Sequence, residues 1–190
     1  MDHPIQLLVN DDLQRTRVTV FFRLLLAIPH FIWLYLWGIA AAIAALVAWF
    51  AALFTGRVPE GLHGFLERYL RYQVHVFAYV TLAADPFPGF GGVAGTYPVD
   101  LRVAGPEEQS RLTVFFRIIL ALPAAILSGV LNYLSAVLAL FAWFAALALG
   151  RIPEGMRNLQ AFSIRYHAQT QGYQYLLTQR YPSFNVGLQT

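Results

Sequence analysis

The stretch that decides the fold runs from Val18 to Phe54 and reads VTVFFRLLLAIPHFIWLYLWGIAAAIAALVAWFAALF. A second stretch runs from Leu112 to Leu149 and reads LTVFFRIILALPAAILSGVLNYLSAVLALFAWFAALAL. Neither contains an acidic residue, and each contains a single arginine near its start. Runs of about 37 apolar residues are longer than the ~20 residues that cross a bilayer, and they need either lipid or an unusually large core. The sequence therefore predicts that both runs lie in a membrane.

The composition indicates the same class of protein. Of the 190 residues, 58% are hydrophobic and only 12% are charged, which lies outside the usual composition of soluble domains. The net charge is +3, and all 13 basic residues are arginine. The chain contains no cysteine, which excludes disulfides, thiolate metal ligands and a cysteine nucleophile. We therefore predict an integral membrane protein.

The chain is a tandem duplication. Residues 3–90 align without gaps on residues 97–184 at an offset of 94, and about 33 of the 88 pairs are identical. A glycine-rich segment separates the two copies. The predicted organisation is repeat 1 over residues 1–90, a linker over residues 91–96 and repeat 2 over residues 97–190.

Short motifs recur in the same order in both halves. In the first half they are Arg17-x-Thr19-Val20-Phe21-Phe22-Arg23, Ala27-Ile28-Pro29-His30, Ala48-Trp49-Phe50 and Gly56-Arg57-x-Pro59. This ordered set resembles an uncharacterised family of bacterial membrane proteins that is defined only as a domain of unknown function. The resemblance covers nearly the whole chain, once per half, and implies no activity. The second half departs from the pattern at Ala124, which replaces His30.

Each repeat opens with a short segment that favours a β-strand. Residues 4–9 and 98–103 are partly alternating in polarity, and the two strands are able to pair with each other. A polar turn follows each strand. Thr16 and Ser110 are the expected N-caps of the helices that come next.

Each apolar run is predicted to form a helical hairpin. A single helix of about 37 residues would be roughly 55 Å long, nearly twice the hydrocarbon thickness of a bilayer. Pro29 and Pro123 mark one possible break, and Gly38 and the Ser128-Gly129 pair mark another near the centre of each run. A central break divides each run into two arms of about 18 residues.

The segment after each run is predicted to be an amphipathic helix at the membrane surface. In the second half, residues 157–180 contain more polar groups than a lipid-facing span satisfies, while apolar residues recur at intervals near 3.5. The competing layout makes Pro29 to Phe54 a single span that returns through residues 62–84. The predicted fold class is a mainly α integral membrane protein of two tandem repeats, each with a short strand, a long apolar helical hairpin and an amphipathic helix.

Arginines at equivalent positions in the two repeats are candidates for lipid binding or packing. They are Arg17, Arg23 and Arg71 in repeat 1 and Arg111, Arg117 and Arg165 in repeat 2. A free guanidinium in hydrocarbon costs several kcal/mol. We therefore expect Arg23 and Arg117 to anchor a lipid phosphate or to pair with an acid such as Glu60.

A second repeated group is interpreted as a structural corner between helices. Its residues are Gly56, Arg57, Pro59 and Glu60 in repeat 1 and Gly150, Arg151, Pro153 and Glu154 in repeat 2. The glycine suits a left-handed helix end, and the arginine faces the carbonyl end of the preceding helix. The proline suits the first helical position, and the glutamate complements the next helix N-terminus.

Glu67, Arg71 and His75 recur at i, i+4 and i+8, a spacing that suits a proton relay or a metal site. The second half has Ala161, Arg165 and Gln169 at these positions, so only the arginine is retained. We therefore expect a surface row of ion pairs and no metal. No phosphate loop, zinc-protease spacing or serine-hydrolase elbow is found in the sequence.

The sequence favours a protein without catalytic residues, cofactor or metal that acts as a membrane scaffold, a lipid-contacting protein or an accessory subunit. The alternative is a small transporter or channel built from the two repeats. The expected partners are membrane lipids, including anionic ones, and a larger membrane complex or further copies of the chain, but not nucleic acid. The expected location is the bacterial inner (cytoplasmic) membrane, with the polar segments on the cytoplasmic side.

Overall fold

A computed structural model describes residues 3–184 and contains two tandem repeats that are mainly helical. This confirms that the chain is mainly helical and contains two tandem repeats. In chain order the elements are β1 (Ile5–Val9), α1 (Arg17–Thr55), α2 (Glu60–Val80), β2 (Val99–Val103), α3 (Arg111–Phe115), α4 (Arg117–Leu149) and α5 (Glu154–Gln174).

The prediction of helical hairpins is wrong, because α1 is one continuous helix of 39 residues and α4 one of 33 residues. At about 1.5 Å per residue, α1 is roughly 58 Å long. Pro29 and Pro123 lie inside these helices and do not end them. Gly38 provides close approach instead of a turn, since an added Cβ would lie 2.8 Å from the hydroxyl oxygen of Tyr69.

The two strands pair with each other, as predicted. They form an antiparallel ribbon in which Ile5 lies opposite Val103, Leu7 opposite Leu101 and Val9 opposite Val99. Alternate residues of β1 are buried, which is the period expected of a strand with one covered face. Because β1 belongs to repeat 1 and β2 to repeat 2, the ribbon joins the two repeats.

The long helices of the two repeats run antiparallel, with the start of each beside the end of the other. The backbone amide of Arg15 donates to the Gly150 carbonyl at 2.9 Å, and the backbone amide of Gln109 donates to the Gly56 carbonyl at 2.7 Å. The equivalent indoles repeat this pattern, because Trp143 Nε1 donates to the Val20 carbonyl at 2.9 Å and Trp49 Nε1 to the Val114 carbonyl at 2.8 Å.

The helices α2 and α5 form the centre of the molecule, so the prediction of amphipathic helices on the membrane surface is wrong. Only Arg68 is exposed between residues 62 and 82, and only Leu159 between residues 156 and 178. The polar side chains of α5 find partners inside the protein. The Gln160 amide donates to the Ser135 carbonyl at 3.0 Å, and the Gln169 amide donates to the Ile5 carbonyl at 3.1 Å.

Candidate functional site

The long helices expose a large apolar surface. Of the 40 exposed large hydrophobic side chains among residues 3–184, 34 lie on α1, α3, α4 and the residue between α3 and α4. On α1 they recur along one side from Phe21 to Phe54. Patches on soluble monomers rarely exceed a few hundred Å², and a surface that follows two helices of this length is much larger.

The opposite side of α1 is buried along the same length by small residues. Ala27, Ala41, Ala48 and Ala52 are fully buried, which allows close approach of the central helices. By length and composition, α1 and α4 are two helices able to cross a membrane, and only 22% and 17% of their most apolar windows are buried. The core helix of a soluble protein is mostly buried, so α1 and α4 differ from that class.

Arg23 is buried and points into the protein. Its guanidinium donates to the carbonyls of Tyr79 and Ala84 at 2.7 and 2.9 Å and pairs with the Asp85 carboxylate at 2.6 Å. The ring of Tyr79 lies 4.4 Å from the guanidinium carbon. The guanidinium therefore satisfies the carbonyls at the end of α2, where a cation is also favoured by the helix dipole. Its acid partner is Asp85 and not Glu60.

Arg117 occupies the equivalent place in repeat 2 with different partners. It donates to the Thr178 carbonyl at 3.1 Å and to the Gln109 side-chain oxygen, and its guanidinium carbon lies 4.1 Å from the Tyr173 ring centre. Gln179 stands where repeat 1 has Asp85. The Gln179 side-chain oxygen accepts from the Ser110 amide at 3.2 Å, as Asp85 accepts from the Thr16 amide at 3.1 Å.

The equivalent arginines at the starts of the long helices are exposed. Arg17 donates to the Ala148 carbonyl at 3.0 Å, near the end of α4, and Arg111 lies at the start of α3. Thr16 and Ser110 occupy the predicted N-cap positions, although neither side chain makes a capping hydrogen bond. Of the six candidate arginines, only Arg17 and Arg111 are therefore open to the surroundings.

Arg71 belongs to a buried ionic network, so the prediction of a surface ion-pair row is wrong. It pairs with Glu67 at 2.5 Å and with Asp100 at 3.3 Å, and it donates to the Leu101 carbonyl at 3.1 Å. His75 Nε2 lies 3.0 Å from the same Asp100 carboxylate. Asp100 is on β2, so the network attaches the ribbon to α2. The sequence did not identify Asp100 because it is remote from the row along the chain.

The Asp100 carboxylate is stabilised in its charged form. Burial raises its pKa, but hydrogen bonds from His75 and from the amides of Gly95 and Leu101 outweigh burial and hold the pKa below its usual value. Within residues 3–184 there is no group of three or more His, Asp or Glu side chains placed to bind a metal ion. The network is therefore a set of ionic and hydrogen-bonded contacts between α2 and β2.

Arg165, the counterpart of Arg71, has lost the acidic partners. Ala161 and Gln6 stand at the positions of Glu67 and Asp100. The Nε and Nη2 atoms of Arg165 are buried and have no hydrogen-bond partner in the described part of the chain, and the guanidinium carbon lies 5.4 Å from the Phe162 ring centre. Burial lowers the pKa of this guanidinium.

The glycine-containing corner has the predicted backbone shape. Gly56 and Gly150 are left-handed, with φ of 80° and 69°. Two details differ from the prediction. Pro59 and Pro153 precede the first helical residue, and the exposed Arg57 pairs with Glu108 at 2.7 Å instead of facing the helix end.

The remaining corner residues lie on the surface. Glu60 and Glu154 occupy the first turns of α2 and α5, as expected for acids at helix N-termini. Glu154 also lies 3.7 Å from Arg157. Arg151 forms an isolated bridge with Gln14 of the other repeat. The corners thus serve as contacts between repeats.

Sequence reasoning did not predict a cavity of about 620 Å³ that lies between the two repeats. Its walls come from the first half of α1, the end of α2, the second half of α4 and the middle of α5. Most of the lining is apolar and includes Leu24, Phe31, Phe77, Trp143 and Ile164. A volume in the range of about 300–1,000 Å³ with apolar walls and few polar groups is typical of ligand sites.

The polar side chains that line the cavity are Arg23, Thr81, Asn132, Ser135 and His167, and two of them meet on the wall formed by α4 and α5. Asn132 and His167 both line the cavity. The Asn132 amide and the Ser128 hydroxyl lie 3.2 and 3.0 Å from His167 Nδ1. Because the amide is a donor, Nδ1 accepts and Nε2 carries the proton. Nε2 is shielded from solvent and has no hydrogen-bond partner among the described residues.

His167 makes the stability of the protein depend on pH. Burial lowers its pKa from 6.5 to about 4. Between these values the unfolded chain binds a proton that the folded protein does not, so the free energy of unfolding falls as the pH falls through this window. We expect His167→Gln to flatten this dependence, as measured by unfolding in detergent between about pH 7 and pH 4.

The wild type and His167→Gln share all other histidines, so the difference between their pH profiles of stability isolates His167. His3 and His63 also have pKa values lowered by burial. Parallel profiles for the wild type and His167→Gln would show that His167 titrates normally in the folded protein.

The comparison with known families accounts for both halves of the chain. The family model described as Domain of unknown function (DUF4389) matches residues 17–91 and again residues 111–185. The chain belongs to this family. Both the family resemblance and the tandem duplication are therefore confirmed, with two DUF4389 units in one chain. No curated protein and no solved structure matches the chain.

Proposed function

We propose that this DUF4389 protein lies in the bacterial inner membrane and acts without catalysis, as a lipid-contacting scaffold or accessory subunit. The observation that carries the proposal is the continuous apolar surface of α1, α3 and α4. Exposing it to water is unfavourable by about 25 cal/mol per Å², whereas lipid tails or an apolar partner cover it.

We further propose that the long helices lie in the plane of the membrane. The helix α1 is about 58 Å long, against a hydrocarbon thickness of about 30 Å, and its opposite side is covered by protein. Arg68 on α2 and Arg102 on the ribbon are exposed. In an upright orientation these arginines would approach the hydrocarbon, whereas in a flat orientation they face water.

The absence of an enzymatic role is part of the proposal. The polar residues shared by the two repeats are Arg17, Thr19, Arg23, Arg57, Glu60, Arg71, Tyr72 and Tyr79, and they include no nucleophile with an adjacent base. The exposed Arg17 and Arg111 suit anionic headgroups, each contributing about 1 kcal/mol near a negatively charged leaflet. A larger membrane complex or a second copy of the chain are the proposed protein partners.

Cysteine labelling tests the in-plane arrangement, because the chain has no native cysteine. Single cysteines at Asp12, Glu60 and Glu154 are expected to react with an impermeant reagent from the same side, which we propose is cytoplasmic. Cysteine at Leu36, on the apolar side of α1, is expected to react only after detergent is added. Reaction of Asp12 and Glu60 from opposite sides would replace this arrangement with a spanning one.

Reconstitution into liposomes separates the scaffold from the transporter. We expect stronger binding to vesicles that contain anionic lipid, together with altered vesicle shape in electron micrographs and no solute flux. The matched control is Arg17→Gln/Arg111→Gln, which removes the two exposed cations at the starts of the long helices and leaves the apolar surface unchanged. Saturable flux through the wild type would reject the scaffold in favour of a small transporter or channel.

A further inference from the structure

We propose that the cavity between the repeats holds one acyl chain whose carbonyl oxygen accepts a hydrogen bond from His167. This inference rests on the proposed membrane location, and it assigns a specific ligand to the lipid-contacting role. The shared chemistry is a long apolar chain with a neutral carbonyl at one end. A membrane phospholipid ester and a protonated free fatty acid are its two possible sources.

Two aromatic rings that repeat symmetry would predict are absent around the cavity, one from each repeat. In the equivalent place on the other side of the molecule, the rings of Tyr69 and Tyr175 pack with centroids 6.1 Å apart. At the corresponding positions around the cavity the chain has Ser163 and Thr81, and Thr81 lines the cavity. The space between the repeats is therefore filled by aromatic rings on one side of the molecule and left open on the other.

The cavity communicates with the apolar surface. Leu24, Phe31 and Leu140 line it, and they are also among the exposed hydrophobic side chains, at 68%, 43% and 56% exposure. Hydrocarbon outside the protein is therefore continuous with the lining of the cavity. An acyl chain reaches such a site sideways from the bilayer without crossing a polar layer.

The shape of the cavity fits a chain better than a compact molecule. On α4 its lining extends from Asn132 to Trp143, a distance of about 16 Å along a helix. The polar pair Asn132 and His167 lies toward one end of this stretch. Arg23 and Thr81 also line the cavity, but both already have partners in the protein, Asp85 for Arg23 and the Phe77 carbonyl for Thr81. An amphiphile with one polar end matches this distribution.

His167 determines which polar group is suitable. Its Nε2–H lacks an acceptor, and an unpaired buried donor costs about 1–3 kcal/mol. Because this nitrogen is shielded from solvent, a carbonyl oxygen reaches it only after the ring or a neighbouring side chain moves. Asn132 and Ser128 already satisfy Nδ1. A neutral imidazole gives a carboxylate no ionic partner. An uncharged carbonyl oxygen therefore satisfies the Nε2–H donor at a lower desolvation cost than a carboxylate.

The test is to fill the cavity and measure lipid retained per chain. Protein purified in mild detergent is examined by native mass spectrometry as wild type, Thr81→Tyr and Ala139→Phe, both of which place a ring in the cavity. Leu36→Tyr is the matched control, since it adds a ring to the outer apolar side of α1. We expect one retained acyl lipid in the wild type and in Leu36→Tyr, and at least a tenfold loss in both filled variants.

Delipidated protein is used to identify the source of the acyl chain and to test the role of His167. It is incubated separately with a diacyl phospholipid, with oleic acid and with a long-chain alkane. Retention of the phospholipid or of the fatty acid supports the proposal and names its source. His167→Phe is expected to weaken binding of the carbonyl-bearing ligand severalfold and to leave alkane binding unchanged.

The proposal is overturned if folded Thr81→Tyr and Ala139→Phe retain lipid as the wild type does, or if His167→Phe leaves ligand preference unchanged. These results would leave the membrane proposal intact, because both variants keep the outer apolar surface. Conversely, failure of the wild type to enter liposomes, with retention of a fatty acid in solution, would reject the membrane proposal and support the cavity assignment.

Discussion

Asp85→Asn is expected to lower the free energy of unfolding by about 3 kcal/mol, because it leaves the buried Arg23 without its carboxylate. The Arg23 side chain is 1% exposed and Asp85 is 22% exposed, with 2.6 Å between Nη2 and Oδ1. Partial exposure of Asp85 places the effect at the lower end of the range for broken buried ion pairs. Asp85 also accepts from the Thr16 amide and hydroxyl, so the start of α1 is expected to loosen.

The exposed pair of Arg57 and Glu108 is the matched control. Its side chains are 64% and 83% exposed at a similar separation of 2.7 Å. Glu108→Gln is expected to change stability by less than about 1 kcal/mol, because water screens the pair. Both variants are measured by denaturant unfolding in the same detergent. Equal effects of the two substitutions would show that burial does not strengthen the dependence of Arg23 on Asp85.

Gly172→Ala is expected to destabilise the protein by about 2 kcal/mol through overpacking against the ribbon. A Cβ added at Gly172 would lie 2.1 Å from Ile5 Cδ1, so the fully buried Ile5 side chain, or the elements around it, has to shift. The equivalent positions of repeat 1 and the partner strand hold Ala78 and Val99, both fully buried. The larger Ile5 on β1 is thus matched by Gly172 on α5, whereas the smaller Val99 on β2 is matched by Ala78 on α2.

Compensation tests this interpretation. Ile5→Val alone is expected to cost about 1 kcal/mol by leaving space, whereas Ile5→Val combined with Gly172→Ala is expected to recover most of the loss. The double variant reproduces the residue pair that the other half already contains. A double variant less stable than both single variants would show that the contact between Gly172 and Ile5 does not limit the packing of α5 on β1.

Internal repetition accounts for what could be predicted most securely. The strands, the left-handed glycines of the corners and the tandem DUF4389 units each follow from motifs that occur twice at a fixed offset. These features depend on local backbone preferences, which the sequence reports directly. The candidate arginines could be identified on the same basis.

The contacts of those arginines could not be predicted by repetition, because the partners differ between the copies. Arg23 pairs with Asp85, whereas Arg117 has Gln179 at the corresponding position and bonds to Gln109 instead. A signal was nevertheless present, since a buried arginine in an apolar helix needs an acceptor. The turn after α2 provides it through the carboxylate of Asp85.

The sequence by itself determined that the chain is duplicated, mainly helical and unusually apolar, because composition and periodicity are properties of neighbouring residues. Only the tertiary structure decided that α1 and α4 are continuous and that the more polar helices α2 and α5 occupy the centre. The proline and glycine signals for a bend were outweighed by packing along the whole helix. Helical periodicity shows which residues share a side, but neighbours distant in the chain determine whether that side meets protein, water or lipid.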